Sequence, residues 1–314
     1  MEFEENDSVF MSAMSQKLFY RLVGLAFNLW GIVSPKSAAH GAYRLFGRPP
    51  KPNLRPKELQ FIDTARQVRC TVAGYPVVEY HWGPENGEMI LLCYGWRYNA
   101  GRWRHYVPVL LNAGYRVIAY DPPGHGLNSG RFCNVILNSE IQEGLIGKYG
   151  RPAAVLAHSF GGASAVRAIS RLSPEIRPKR AVIMASFSHA ARLFEAYRDA
   201  IGLWPGVYDN LVREVEVIVG KPLEDFDFAK LGSGLHDVQT LLVHDPNDDV
   251  TPFSNALRYH AYWPGSRLLR AHGGGHHLGL AGVTGDVLRF LVEGKVPDAA
   301  EEFTSVPPDQ VPTS

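Results

Sequence analysis

At 314 residues the chain has room for one large domain, or one domain with an insertion, around a sizeable core. Its 46% hydrophobic and 20% charged residues are ordinary for a globular protein, and a formal net charge of +1 supplies no global field to draw in nucleic acid or an anionic substrate. Three widely spaced cysteines, Cys70, Cys93 and Cys133, form no disulfide framework and point to reduced thiols in a cytoplasmic protein.

Met1 to Asp7 is acidic and is expected to fray. Val9 to Val33 is rich in apolar residues, and Leu18 to Val33 is broken only by Arg21, Gly24, Asn28 and Gly31. That is too short and too interrupted for a membrane span, and the acidic start does not look like the basic n-region of a secretory signal. An amphipathic helix packed on the domain or on a partner subunit, as in a homodimer, is favoured over a helix lying on a membrane surface. Translation from Met11 or Met14 would place Lys17 and Arg21 ahead of the apolar run, which keeps an anchor reading open. Arg48 to Pro56, with Pro49, Pro50, Pro52 and Pro56, reads as a stiff linker, so residues 1–60 form an N-terminal extension.

Phe61 to Ala73 and Tyr75 to Trp82 flank Gly74 as an antiparallel hairpin. From there strands and helices alternate. The expected strands are Met89 to Tyr94, Arg116 to Tyr120, Ala153 to Ala157, Arg180 to Ala185, Val238 to His244 and Arg267 to Ala271. The expected helices are Trp103 to Ala113, Val135 to Tyr149, Ala163 to Ile169, Pro252 to Tyr262 and Leu280 to Glu293. The rhythm specifies an α/β fold, a mostly parallel doubly wound sheet covered on both faces. Residues 188–236 interrupt it with helical segments alone, Ala190 to Leu203 and Asn210 to Val219. They are read as a helical cap that splits the core into 61–187 and 237–294. Residues 295–314 are acidic, Pro-rich and expected to be disordered.

The chemistry centres on Val155-Leu156-Ala157-His158-Ser159-Phe160-Gly161-Gly162-Ala163. A strand, a small-x-Ser-x-Gly turn and a helix would lift the Ser159 hydroxyl clear of the sheet edge. A serine needs a base within reach, and the base needs a third group to orient it. The acid candidates follow a strand at Asp245, Asp248 and Asp249. Asp248 is preferred, Asp249 is its rival, and Asp245 is assigned to the turn. The base candidates follow the next strand at His272, His276 and His277. His276 is preferred because Gly275 precedes it, and His277 is second. The backbone N–H groups of Phe160 and Trp96 are placed to receive an oxyanion. His125, in the Gly/Pro turn Asp121 to Gly130, is read as structural. The imidazoles near His244 and Asp245 match no zinc spacing, so no metal is expected.

Together these pieces resemble the α/β-hydrolase family. Tyr94-Gly95-Trp96 is similar to its His-Gly-x oxyanion segment, with Tyr94 in place of the usual His. Asp121 to Gly126 is similar to its Asp-x-Pro-Gly-His-Gly turn, and Ala157 to Gly161 to its nucleophile elbow. Asp248 to Pro252 and Gly275-His276 correspond to the acid and histidine loops. The similarity covers about Phe61 to Val292, and Tyr43 to Pro50 also resembles the lead-in of small bacterial esterase-like members. The resemblance implies a Ser159–Asp248–His276 triad, Trp96 and Phe160 as oxyanion donors, a small-molecule acyl substrate and no cofactor. A serine hydrolase acting on a carboxylester or thioester is the first reading. The aromatic residues Phe187, Phe194, Tyr197, Trp204 and Tyr208 are read either as an apolar acyl pocket or as ordinary core of the cap. An acyltransferase using the same triad and a non-catalytic binding protein of the same fold are the alternatives.

Overall fold

The computed structural model describes residues 2–50 and 54–303, with side chains from Lys17 onward. The chain divides into two compact units: Met1–Gly47 with His189–Phe226, and Arg48–Ser188 with Asp227–Ser314.

The larger unit holds one nine-stranded sheet. Its strands are β1 (Arg66–Val72), β2 (Tyr75–Trp82), β3 (Met89–Cys93), β4 (Arg116–Asp121), β5 (Ala154–His158), β6 (Arg180–Met184), β7 (Gln239–His244), β8 (Arg267–Arg270) and β9 (Glu301–Glu302). They lie in the order β1-β2-β4-β3-β5-β6-β7-β8-β9. The six strands from β4 to β8 run parallel, while β1, β2 and β9 are antiparallel additions at the edges. β3 and β5 are buried along their whole length, which is why Met89 to Cys93 and Ala154 to Ala157 read as apolar runs rather than alternating patterns. Because β3, β5, β6, β7 and β8 are parallel neighbours, the loops that follow them gather along one edge of the sheet. Tyr80, Trp103, Leu110, Ile90, Leu92 and Phe290 lie in the core beside them with no exposed surface.

Some boundaries differ from the sequence reading. Phe61 and Ile62 belong to helix Pro56–Ile62 rather than to the first strand. Pro56 opens that helix, and the Glu58 carboxylate accepts the Arg55 N–H at 3.1 Å, a start signal that outweighs the apolar pair behind it. The helix expected over Trp103 to Ala113 divides into a 3-10 turn, Ala100–His105, and helix Val107–Asn112. Beyond Lys295 the expected disorder gives way to β9. Its glutamates pair with basic residues of β8, Glu301 with Arg270 and Glu302 with Arg267, so the acidic character serves cross-strand pairing. Residues 304–314 and the linker residues 51–53 lie outside the described residues.

The smaller unit is all helix: Glu2–Val33, Pro35–Phe46, Ala190–Ile201 and Pro205–Val219. The first helix runs from Glu2, where fraying was expected. Residues 1–47 of the N-terminal extension and 189–226 of the insert therefore share one unit instead of forming separate segments, while the rest of the extension, from Arg48, belongs with the sheet unit. Asp227 to His236, assigned to the cap in the sequence reading, belongs with the sheet unit, where Phe228 is fully buried against Phe187. Phe194 and Tyr197 close on Phe46, with ring centroids 4.5 and 5.0 Å away, and the Tyr197 hydroxyl donates to the Ala42 carbonyl at 2.9 Å. The ordinary-core reading thus accounts for these two aromatics.

Candidate active site

Ser159 follows the last residue of β5 and precedes helix Phe160–Arg171. Its φ of +52° lies in left-handed backbone that a residue with a Cβ adopts only when its surroundings force it. The forcing is visible on both sides. A Cβ at Gly161 would sit 2.4 Å from the Tyr94 carbonyl oxygen, so the helix packs on the end of β3 at a distance only glycine permits. The Ser159 N–H donates to the Met184 carbonyl at 2.8 Å, and the Ser186 hydroxyl donates to the Ser159 carbonyl at 3.0 Å. Arg97, Ala185 and Leu278 also have positive φ, in the loops after β3, β6 and β8. Strained backbone is thus concentrated along the sheet edge that carries Ser159.

Three of the residues selected from the sequence meet there. The Ser159 hydroxyl oxygen lies 3.1 Å from Nε2 of His276, and Nδ1 of His276 lies 2.9 Å from Oδ2 of Asp248. With its proton on Nδ1, His276 donates to the carboxylate and presents a free Nε2 lone pair to the serine. Burial by itself would push the Asp248 carboxyl up. Hydrogen bonds from His244, His276 and Thr251 outweigh it and hold the carboxyl well below the usual carboxylate range. The backbone N–H groups of Val250 and Thr251 both reach Oδ1 at 2.9 Å, and the Thr251 hydroxyl lies 2.8 Å from Oδ2. The imidazole of His244 meets the Thr251 carbonyl at 2.7 Å and serves this loop.

The rival candidates lie elsewhere. Asp249 and His272 are exposed. His277 faces away, its Nδ1 on the Tyr98 hydroxyl and its carbonyl accepting from Arg102 at 2.9 Å. Asp245 organises its turn by accepting the Asn247 N–H. It also accepts the Gly275 N–H at 2.6 Å, which ties the acid loop to the residue before His276.

The Tyr94–Arg97 loop lies against the serine. A Cβ at Gly95 would be 3.0 Å from the Ser159 Cβ. The Trp96 and Phe160 rings meet edge to face at 5.0 Å, so the two residues assigned as oxyanion donors are neighbours. Tyr94 finds a partner of its own. Its hydroxyl donates to Asp121 at 2.6 Å, as does the Tyr80 hydroxyl at 2.5 Å, and the Leu127 N–H reaches the same carboxylate at 2.7 Å. Burial raises the Asp121 carboxyl to about 6 against the pull of those donors. His125 is buried, stacks on Phe160 and meets the edge of Trp96. Its Nδ1 bonds the Pro123 carbonyl at 3.1 Å, in keeping with a structural turn.

The sequence reading passed over His158, the residue before the serine. It is fully buried, and its Nε2 lies 2.8 Å from the His276 carbonyl. The signal was present, since an imidazole beside a candidate nucleophile at the end of an apolar strand must be buried and must find a partner.

The comparisons agree with this architecture. A family model described as alpha/beta hydrolase fold matches residues 88–238, and one described as TAP-like protein matches residues 228–302. A serine hydrolase-like protein of Danio rerio is 31% identical over 100 residues, covering 30% of this chain and 30% of its own length. Non-heme chloroperoxidase CPO-A1 of Kitasatospora aureofaciens is 23% identical over 267 residues, covering 70% of this chain and 95% of its own. The solved structure of a carboxylesterase from Bacillus subtilis superposes with a TM-score of 0.55 at 18% identity, over 83% of this chain and 99% of that one, a likeness of fold. With its sheet order, its serine turn and two family models that together run from Glu88 to Glu302, this chain belongs to the α/β-hydrolase family.

Proposed function

We propose that the chain is a serine hydrolase that cleaves a carboxylester or thioester through an acyl-enzyme on Ser159. The observation that carries the reading is the hydrogen-bonded line from Ser159 through His276 to Asp248, at 3.1 and 2.9 Å. In the proposed mechanism Nε2 of His276 takes the hydroxyl proton as Oγ bonds the substrate carbonyl carbon. The imidazolium that forms is held by Asp248, whose low pKa keeps it ionised. The backbone N–H groups of Trp96 and Phe160 receive the oxyanion, and a donor of this kind is worth about 3 kcal/mol in the transition state. His276 then protonates the leaving alcohol or thiol. Water, deprotonated by the same Nε2, attacks the acyl carbon, and collapse of the second intermediate returns the proton to Oγ.

The test is labelling with a fluorophosphonate, which bonds only an activated serine. Wild type should be labelled and should hydrolyse short p-nitrophenyl esters, and Ser159→Ala should do neither. Labelling that persists in Ser159→Ala, or a wild type inert to both reagents, would overturn the reading. Adding competing alcohols to the ester assay separates hydrolysis from acyl transfer, because a transferase diverts the acyl group into a new ester.

A further inference from the structure

We infer that Arg102 is a positioning residue for His276, holding the strained turn on which that imidazole is mounted. The inference rests on the serine-hydrolase reading and adds a residue to it. His276 and His277 stand between Gly275 at φ +51° and Leu278 at φ +50°. Left-handed backbone at a leucine persists only where its surroundings over-determine it. Both ends of the turn are tied: the Asp245 carboxylate accepts the Gly275 N–H at 2.6 Å, and the Leu278 N–H donates to the Gly274 carbonyl at 2.9 Å, with the Leu278 side chain in the core. Two carbonyls lie between those ties. That of His276 accepts from His158 at 2.8 Å, and that of His277 accepts from Nη2 of Arg102 at 2.9 Å. Arg102 therefore grips the peptide unit that joins His277 to the strained leucine.

The sequence builds Arg102 as a fixed arm. It lies in the 3-10 turn Ala100–His105, between the buried residues Gly101 and Trp103. The Asn99 side chain accepts the Gly101 N–H at 2.8 Å and donates to Glu58 at 3.1 Å, and a Cβ at Gly101 would lie 2.5 Å from the Glu58 Cβ. The turn is thus seated on helix Pro56–Ile62. The guanidinium lies 4.9 Å from the centroid of the Tyr98 ring and 5.6 Å from that of the Trp103 ring. The Tyr98 hydroxyl meets Nδ1 of His277, so one aromatic residue steadies both the arm and the residue it grips. No carboxylate among the described residues forms an ion pair with Arg102, so its charge serves the carbonyl, in a charge-assisted hydrogen bond of the stronger kind.

The same segment grows out of the oxyanion loop, and the Tyr98 N–H donates to the Gly95 carbonyl at 3.3 Å. Tyr98 and Arg102 thereby tie the loop of Trp96 to the loop of His276, and so fix the proposed oxyanion donor and the proposed base relative to one another. A shift of about 1 Å in a reacting group costs on the order of a hundredfold in rate.

The test compares Arg102→Met and Arg102→Lys with wild type in hydrolysis of short p-nitrophenyl esters, in melting temperature and in amide hydrogen exchange of residues 272–280. Arg102→Met should lower kcat about ten- to a hundredfold, as loss of a charged hydrogen bond does, with KM within about twofold. Exchange in 272–280 should quicken, with melting temperature within a few degrees of wild type. Arg102→Lys keeps a charged donor for the carbonyl and should recover part of the rate and of the protection. Tyr98→Phe leaves the ring under the guanidinium and removes only the hydroxyl on His277, so its loss should be smaller, about three- to tenfold. Wild-type kcat and exchange in Arg102→Met, or in Tyr98→Phe should the methionine variant not fold, would overturn the inference. So would a KM that rises while kcat holds, since Arg102 would then be gripping substrate. A wild type inert to fluorophosphonate and esters would remove the hydrolase reading instead, and exchange in 272–280 would then decide by itself whether Arg102 holds the turn.

Discussion

The imidazole Nε2 of His158 lies 2.8 Å from the backbone carbonyl of His276, so the residue before the serine holds the main chain of the histidine that faces it. Burial, then the nearby charge of Arg102 and the ring of His276, depresses the pKa of His158 far below the usual imidazole value, so the ring stays neutral. Its Nδ1 has no hydrogen-bond partner among the described residues, which leaves Nε2–H as the donor. His158→Ala should lower kcat for an ester about tenfold, the equivalent of one hydrogen bond of about 1.4 kcal/mol, with KM little changed. His158→Gln, which carries an amide N–H to the same place, should recover most of the loss. Steady-state kinetics of the two variants checks this, and a glutamine variant no better than alanine would show that the bond is not what positions His276.

The acid loop offers a sharper comparison, because Asp248 and Asp249 are adjacent in sequence and differ completely in surroundings. The Asp248 carboxylate is sealed among five donors, whereas Asp249 is exposed. Asp248→Asn can no longer hold the Nδ1–H tautomer of His276, and kcat should fall by about three to four orders of magnitude. Asp249→Asn should stay within about twofold of wild type, as surface substitutions away from a network usually do. Ester hydrolysis by the two variants decides which carboxylate acts.

The strands were legible because a parallel central strand is apolar on both faces, as Met89 to Cys93 and Ala154 to Ala157 are. The serine turn was legible because the tight approach of helix to strand demands small residues at Gly161 and Gly162. Periodicity could not reveal partnerships between distant segments. Nothing local says that Asn28 seats in the backbone at Gly202 and Trp204, or that Asp245 reaches Gly275. Nor does anything local say what Tyr94, which stands where the resemblance has His, bonds to: its hydroxyl reaches Asp121, a residue of the next strand in the chain.

Two glycines in helices should respond to alanine in opposite directions. At Gly161 the added methyl meets the backbone oxygens of Tyr94 and Cys93 at 2.4 and 2.5 Å, which cannot rotate away. Gly161→Ala should cost about 1–3 kcal/mol or more and lower the melting temperature by several degrees, with Ser159 activity falling as the elbow shifts. Gly147, in helix Val135–Tyr149, is exposed, and a Cβ added there would meet nothing within 4 Å, so Gly147→Ala should stabilise by about 0.5–1 kcal/mol through helix propensity alone. Thermal melts of the pair test whether close approach, rather than glycine's flexibility, fixes residue 161.

His125 should make the fold sensitive to acid. Burial between the Trp96 and Phe160 rings lowers its pKa to about 4, and its Nε2 has no hydrogen-bond partner among the described residues. Between pH 6.5 and 4 the unfolded chain therefore binds a proton at this residue that the folded chain refuses. The stability it contributes is complete above about 6.5 and is lost as pH falls, by at most about 3 kcal/mol at pH 4. Asp121 acts with the opposite sign. Its carboxyl is raised to about 6, so the folded state binds more protons between about 4 and 6, and its contribution is lost as pH rises through that window. His125→Asn keeps a donor near Nδ1 for the Pro123 carbonyl and removes the titration, while Asp121 is common to both proteins and cancels in their difference. Urea unfolding of wild type and His125→Asn from about pH 7 to 4 should show the difference moving steadily in favour of the variant as the pH drops, and a difference that stays flat would mean that His125 does not carry the acid sensitivity.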